Sequence, residues 1–275
     1  YSVSLSSDGS IVAIGAVEND GDNGTDSGHV RIYGYSGGSW TKLCEDIDGE
    51  AAYDYSGWSV SLSSDGSTVA IGAYRNGGNG VNSGRVRIYE YSGSSWTQLG
   101  VDIYGDAAGD ESGWSVSLSS DGSTVAIGAY GNDGLNASSS NAGHVRIYQL
   151  NASKDAWDKK GEDIDGEATG DHSGYSVSLS SDGSTVAIGA RYNAGLNASS
   201  NNAGHVRIYR YSDRSWTQLG GDIDGEAAGD NSGWSVSLSS DGRTVAIGAY
   251  KNDGNGSDSG HVRIYQLNAS KDAWE

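Results

Sequence analysis

The chain has 275 residues, with 17 basic and 36 acidic side chains for a formal charge of −19, and it contains no Pro, Phe or Met. So negative a balance repels nucleic acid and anionic lipid and favours solubility and divalent cations. No apolar run reaches the about 18 residues of a membrane-spanning helix, so direct membrane insertion is not expected, and the single Cys44 excludes an internal disulfide.

The first residue already lies inside a phrase, YSVSLSSDGSIVAIGAV, whose close copies begin at Ser56, Ser112, Ser173 and Ser232. The aspartates of the shared SSDG fall at 8, 65, 121, 182 and 241, at intervals of 57, 56, 61 and 59 residues. A period that long, filled with short alternating runs, signals a propeller or a related array. The units run approximately 1–55, 56–111, 112–172, 173–231 and 232–275, and the last lacks most of its fourth strand.

Within the second unit, WSVSLS at 58–63 alternates large and small residues and predicts a first strand. SDG supplies a tight turn, and STVAIGA at 67–73 predicts the second strand of a hairpin. A loop rich in Gly, Asn, Asp and Ser leads to a third strand, GRVRIYEY at 84–91. A short turn then leads to a fourth, WTQLGVDI at 96–103. No segment has helical periodicity.

The spacings are informative. From the Trp opening the fourth strand to the aromatic opening the next unit is always 18 positions: Trp40 to Trp58, Trp96 to Trp114, Trp157 to Tyr175, Trp216 to Trp234. The loop between second and third strands drifts instead, with flanking Ala-to-Gly separations of 12, 11, 14, 14 and 11. A rigid crossing between sheets and variable loops gathered on one rim would produce this contrast. Trp58, Val60 and Leu62 share one side of the first strand, beside Val69 and Ile71; Ser59, Ser61, Ser63, Thr68, Ala70 and Gly72 share the other. Stacked sheets would seat each bulky face on a neighbour's small one. The expected fold is all-β, a β-propeller of four-stranded antiparallel blades with five repeat units in this chain. Cys44 stands where the other units have Gly100, Gly161 and Gly220, and reads as a small buried strand residue.

The repeated GWSVSLSSDGSTVAIGA, followed by SGRVRIYEYSGSSWTQL, resembles the FG-GAP-type repeat of integrin α-subunit heads and of many bacterial and algal surface proteins. The resemblance covers essentially the whole chain. It implies a propeller, often seven-bladed, in an extracellular adhesion or recognition setting. The sequence departs from the family at Ser56, Ser112, Ser173 and Ser232, where the family has Phe, and at Val17, Tyr74, Tyr130, Arg191 and Tyr250, where it has Pro. Some members carry a calcium loop between the first two strands, and SSDGS is too short for one. The fifth unit stops at DAWE, 16 residues short of completing the cycle, which favours a window on a longer array over a ring closed with one strand missing.

Several constellations could carry chemistry. Asp20, Asp22 and Asp26 in one loop, and Asp253 and Asp258 in another, are dense oxygen donors suited to Ca²⁺, although no cofactor is required. Glycosylation sequons occur at Asn23, Asn136, Asn151, Asn197, Asn255 and Asn268, all in predicted loops. Tyr74, Tyr130 and Tyr250 follow the second strand at a loop mouth, where they could stack on sugar rings or pack between blades. Arg31, Arg87, Arg146, Arg207 and Arg263 recur once per unit and suit carboxylate bridges between blades. His29, His144, His205 and His261 share one repeat position, while His172 stands alone in a link.

An enzyme site normally breaks the symmetry of its scaffold, and here Ser, His and Asp are spread over equivalent positions, so catalysis is not expected. The expected role is that of a secreted or cell-surface repeat glycoprotein with a structural or adhesive function, binding surface proteins, matrix or glycans through its rim loops, with self-assembly into a larger array as a further expectation. A lectin-like propeller is the alternative, and a propeller-scaffold hydrolase or lyase comes third.

Overall fold

A computed structural model describes residues 1–134, 140–195, 201–270 and 273–275. The described residues form strands and turns without a helix, so no helix is long and apolar enough to cross a membrane. The strands form five successive sheets, one per repeat, and the architecture is a five-bladed β-propeller.

The first sheet holds β1 (Ser2–Leu5), β2 (Ile11–Ala16), β3 (His29–Ser36), β4 (Ser39–Lys42) and β5 (Ile47–Asp48). The second holds β6 (Ser59–Leu62), β7 (Thr68–Ala73), β8 (Arg85–Tyr91), β9 (Trp96–Gln98) and β10 (Ile103–Tyr104). The third holds β11 (Ser115–Leu118), β12 (Thr124–Ala129), β13 (His144–Leu150), β14 (Trp157–Lys159) and β15 (Ile164–Asp165). The fourth holds β16 (Ser173–Leu179), β17 (Thr185–Ala190), β18 (His205–Ser212), β19 (Ser215–Gln218) and β20 (Ile223–Asp224). The fifth has β21 (Ser232–Leu238), β22 (Thr244–Ala249) and β23 (His261–Gln266), with Leu267 bridging Trp274 where a fourth strand would start.

Each of the first four sheets is four strands wide, because the fourth strand is broken into two pieces that both pair antiparallel with the third: Tyr89 opposes Gln98, and Val86 opposes Ile103. The break is a residue in the left-handed region, Gly100 (φ 71°), Gly161 (φ 82°) or Gly220 (φ 75°). Glycine enters this region without steric cost. It also leaves room, since a Cβ at Gly100 or Gly161 would lie 2.7 Å from the indole of Trp157 or Trp216.

Cys44 occupies this break at φ 64° and is half-buried, so the expectation of a small buried strand residue is corrected. The consequence reaches the next repeat. Trp157 Nε1 donates to Leu99 O (2.8 Å), Trp216 Nε1 to Lys160 O (2.6 Å) and Trp274 Nε1 to Leu219 O (2.7 Å). The matching Trp96 Nε1, beside Cys44, is buried and has no hydrogen-bond partner among the described residues.

The hairpins follow the alternation read from the sequence. Val60 opposes Ile71 and Leu62 opposes Val69, which places the four on one face. The SSDG turn is closed by its own side chains: Ser63 Oγ and Ser67 N donate to Asp65 Oδ1 (2.7 and 2.9 Å), and Thr68 N donates to Ser63 Oγ (2.9 Å). In the first unit the Ser10 amide and the Ser6 and Ser10 hydroxyls hold Asp8 at a pKa of about 2.

The chain divides into two compact units, Tyr1–Ile127 with Tyr148–Lys159, and Gly128–Ile147 with Lys160–Glu275. In the first, Leu62, Val69, Ile71 and Tyr89 of the second sheet pack on Ala13, Val30 and Ile32 of the first. In the second, Val245 and Ile247 of the fifth sheet, with Val236 and Leu238, pack on Ala187, Val206 and Ile208 of the fourth. The bulky face of one sheet thus covers the small-residue face of the sheet before it.

Replacing Cys44 by Gly should stabilise the protein by about 1–3 kcal/mol, because it removes a side chain from a left-handed position and frees Trp96 to donate to the carbonyl of residue 43. Urea denaturation of the two proteins checks this; an unchanged or lowered midpoint would refute it.

Candidate active site in the fourth repeat

The link before each sheet ends in one residue held in the left-handed region: Tyr55 (φ 54°), Glu111 (φ 55°), His172 (φ 57°) and Asn231 (φ 56°). Its amide donates to a carbonyl of the preceding variable loop in every case, Asp26, Asn82, Asn141 and Asn202. The backbone is therefore the same four times, and only the side chain changes. The link is further fixed by a buried aspartate: Asp54, Asp171 and Asp230 accept from the side chains of Asn76, Asn193 and Asn252 at 2.9–3.0 Å. Those asparagines begin the loop after the second strand, so each link is tied to the loop mouth of the sheet that follows.

Two side-chain positions flank this junction, as with Tyr55 and Tyr74, whose rings lie 5.9 Å apart. One comes from the link, and the other from the position just after the second strand: Tyr74, Tyr130, Arg191 or Tyr250. Aromatic residues opening the sheets surround them. In the first unit, Tyr1 stacks on Trp58 at 3.9 Å between centroids, and Trp58 lies 4.5 Å from Trp114. Tyr74 is buried against both indoles, at 4.5 and 5.1 Å.

The fourth repeat differs at both positions. His172 is half-buried, stacked on Tyr130 (5.0 Å) and set edge-on to Tyr192 (4.9 Å). Arg191 lies over Tyr175 (3.9 Å), Tyr192 (4.2 Å) and Trp234 (4.8 Å). Among the described residues, neither His172 Nδ1 nor Arg191 Nε, both covered, has a hydrogen-bond partner. Burial, and then the charge of Arg191, push the His172 imidazole down to a pKa of about 4, so it is neutral at pH 7. A neutral imidazole can accept a proton, and an arginine without a carboxylate partner can receive a developing negative charge.

The repeated arginines and histidines serve the architecture instead. Arg87 Nη2 donates to Asp48 O (2.6 Å), Arg207 Nη2 to Asp165 O (2.8 Å) and Arg263 Nη2 to Asp224 O (2.6 Å), each reaching the preceding repeat. Arg85, which replaces the repeated histidine in the second unit, pairs with Glu50 and Asp102. His205 is fully buried, and burial with the Arg207 charge lowers its pKa to about 4.

The acidic loops are tied into their own turns. Asp20 Oδ1 accepts from Asp26 N (3.0 Å), and Asp253 Oδ1 from Asp258 N (2.7 Å); Asp22 is exposed. The carboxylates that converge as metal donors among the described residues are elsewhere, at His29, Asp46 and Asp48 and at Glu167, His205 and Asp222. In both groups basic side chains already bind an acid: Arg31 and Lys42 on Asp46, Arg207 on Glu167.

Among the sequon asparagines, Asn23 and Asn255 are exposed, and Asn23 Nδ2 donates to Gly49 O (2.7 Å). Asn151 and Asn268 donate to Asp155 and Glu275, and Asn136 and Asn197 lie outside the described residues. Tyr130 packs on His172, and Tyr250, exposed, lies 4.2 Å from Trp234.

A cleft of about 390 Å³ lies by Cys44, Asp46, Tyr89 and Trp96. Similar clefts recur at Asp163 and Trp216 (about 330 Å³) and at Asp222 and Trp274 (about 270 Å³), so they belong to the repeat architecture and are largest where Cys44 replaces glycine.

The fold and its link geometry define a β-propeller assembled from one repeated sheet. Residues 47–89, 104–148 and 223–265 match the FG-GAP repeat family, so the chain carries FG-GAP-type repeats. No curated protein matches the sequence significantly. Among solved structures, a candidate 6-phosphogluconolactonase of Bacteroides uniformis is similar over 100% of this chain and 69% of its own, with a TM-score of 0.66 and 13% identity. The periplasmic gluconolactonase of Pseudomonas aeruginosa is similar over 99% and 70%, with a TM-score of 0.63 and 14% identity. A candidate 6-phosphogluconolactonase of Bacteroides fragilis gives 100% and 68%, 0.58 and 13%. At such identities the likeness shows the fold. All three nevertheless carry the names of lactonases, and this overturns the expectation of an adhesive or lectin-like surface glycoprotein without enzymatic activity.

The lowered pKa of His172 makes a stability prediction. Between pH 6.5 and about 4 the unfolded chain binds a proton at this residue that the folded chain does not, so folding stability falls as the pH drops through that window. Wild type should lose more stability than His172→Gln between pH 7 and 4.5 in urea titrations. Equal losses would mean the imidazole is not held neutral.

Proposed function

We propose that the chain is an exported hydrolase of small sugar lactones, with its reaction centre at His172 and Arg191. The observation that carries this reading is the break in repeat symmetry. Four link positions share one backbone conformation, yet among the described residues only the fourth repeat sets a link imidazole of lowered pKa near an arginine whose covered Nε has no hydrogen-bond partner. The lactonase names of the similar structures support the substrate class, and the periplasmic location of one supports export.

In this mechanism the neutral His172 imidazole takes a proton from a water molecule as the water oxygen attacks the lactone carbonyl carbon. The Arg191 guanidinium receives the negative charge that develops on the carbonyl oxygen. Collapse of the tetrahedral species breaks the ring C–O bond. The proton held by His172 passes to the departing alkoxide, and a hydroxy acid is released. Tyr175, Tyr192 and Trp234 supply flat apolar surfaces on which a sugar ring can lie.

Titrating the acid released from glucono-δ-lactone and from its 6-phosphate measures the activity directly. His172→Gln and Arg191→Gln should each lower kcat by roughly 10²–10³-fold with the fold intact. The wild-type kcat/KM should decline as the pH falls towards about 4. Hydrolysis no faster than buffer, or variants as active as wild type, would rule the reading out.

A further inference from the structure

The second and fourth repeats carry the same set of carboxylates, but only the second supplies the cation that joins them. There Arg85 opens the third strand with its side chain 2% exposed. Its Nη1 donates to Glu50 Oε2 and to Asp102 Oδ2 (3.1 Å), and its Nη2 lies 3.5 Å from Asp54 Oδ2. Neighbours take the outer oxygens: Arg87 Nη1 donates to Glu50 Oε1 (3.0 Å), and Gln98 Nε2 donates to Asp102 Oδ1 (2.6 Å).

In the fourth repeat Glu167, Asp171 and Asp222 stand where the second has Glu50, Asp54 and Asp102. The outer contacts are kept. Arg207 Nη1 lies 3.3 Å from Glu167 Oε1, and Gln218 Nε2 donates to Asp222 Oδ1 (2.7 Å). The inner cation is lost: His205 replaces Arg85, and Asp224, opposite it in the strand register, replaces Tyr104. The His205 side chain is 2% exposed and its Nδ1 lies 4.0 Å from Asp222 Oδ2, too far to bond. No hydrogen bond satisfies its ring among the described residues. Burying a polar ring without a partner is costly. In the first and third repeats an arginine already spans both oxygens of the matching aspartate, Arg31 on Asp46 (3.2 and 3.0 Å) and Arg146 on Asp163 (2.9 and 2.8 Å).

We propose that His205, Glu167 and Asp222 bind a divalent transition-metal ion in the place that Arg85 fills in the second repeat. One ligand atom from each lies within 4.8 Å of the others. An ion with ligand distances of about 2.0–2.2 Å closes that span by small side-chain movements. The imidazole nitrogen selects Zn²⁺ or Mn²⁺ over Ca²⁺ and Mg²⁺, which take oxygen ligands. His205 is closed in by its sheet, whereas the Glu167 and Asp222 side chains are 48% and 32% exposed, so the ion enters from their side. Arg207 and Gln218 orient the two carboxylates from outside, as the outer hydrogen-bond partners of metal ligands do. The bound ion restores the positive charge that the exchange of Arg85 for His205 removes.

Calorimetric titration of the metal-stripped 275-residue chain with Zn²⁺, and separately with Ca²⁺, tests the proposal without reference to activity. Wild type should bind one Zn²⁺ per chain and Ca²⁺ far more weakly. His205→Arg, which recreates the arrangement of the second repeat, should abolish the site, and Zn²⁺ should raise the Tm of wild type but not of this variant. Gln218→Ala, which leaves all three ligands in place, should weaken binding by roughly 10–100-fold. His205→Gln provides the same test should the arginine impair folding, as judged by circular dichroism. A wild type that binds no Zn²⁺ overturns the proposal. So does Zn²⁺ bound at wild-type affinity by the His205 variants, or Ca²⁺ bound as tightly as Zn²⁺.

Discussion

The approach of one sheet's backbone to the next depends on a single small contact. The carbonyl of the glycine that opens each sheet lies where the Cβ of a second-strand residue in the preceding sheet would be: Gly57 against Gly15, Gly113 against Gly72, Gly233 against Gly189. Only glycine admits that distance. Once the backbones meet there, the serines of the first strand reach the neighbouring sheet, and the bulky side chains beyond them close on Ala, Val and Ile. The fixed 18-position link is the covalent side of the same constraint. It must deliver each opening glycine to the same place, and a buried Asp–Asn pair holds it there.

A scaffold this regular separates structural side chains from chemical ones. Residues that recur with the same partners, such as Arg87, Arg207 and Arg263 on the carbonyls of Asp48, Asp165 and Asp224, belong to the architecture. The link residues Tyr55, Glu111, His172 and Asn231 share a backbone and nothing else, so their side chains are free to differ without cost to the fold. This is where a catalytic pair can be placed. The rigid link positions the imidazole, and the loop mouth tied to it positions the guanidinium.

The sequence carried the large features because they are periodic. Repeat spacing, the bulky and small faces and the pairing of Val60 with Ile71 all follow from counting residues. What it did not carry depends on distance in space. The break in the fourth strand is invisible because Ile103 and Tyr104 pair over two residues only. Cys44 was legible as a substitution for glycine, but not as a left-handed residue that strands the indole of Trp96. In the acidic loop of Asp20, Asp22 and Asp26, the Asp26 amide donates to Asp20 Oδ1, a contact set by the turn and not by residue spacing. His172 stood out as the one histidine off the repeat. Its meaning was hidden because Arg191 and the surrounding rings come from other turns of the chain.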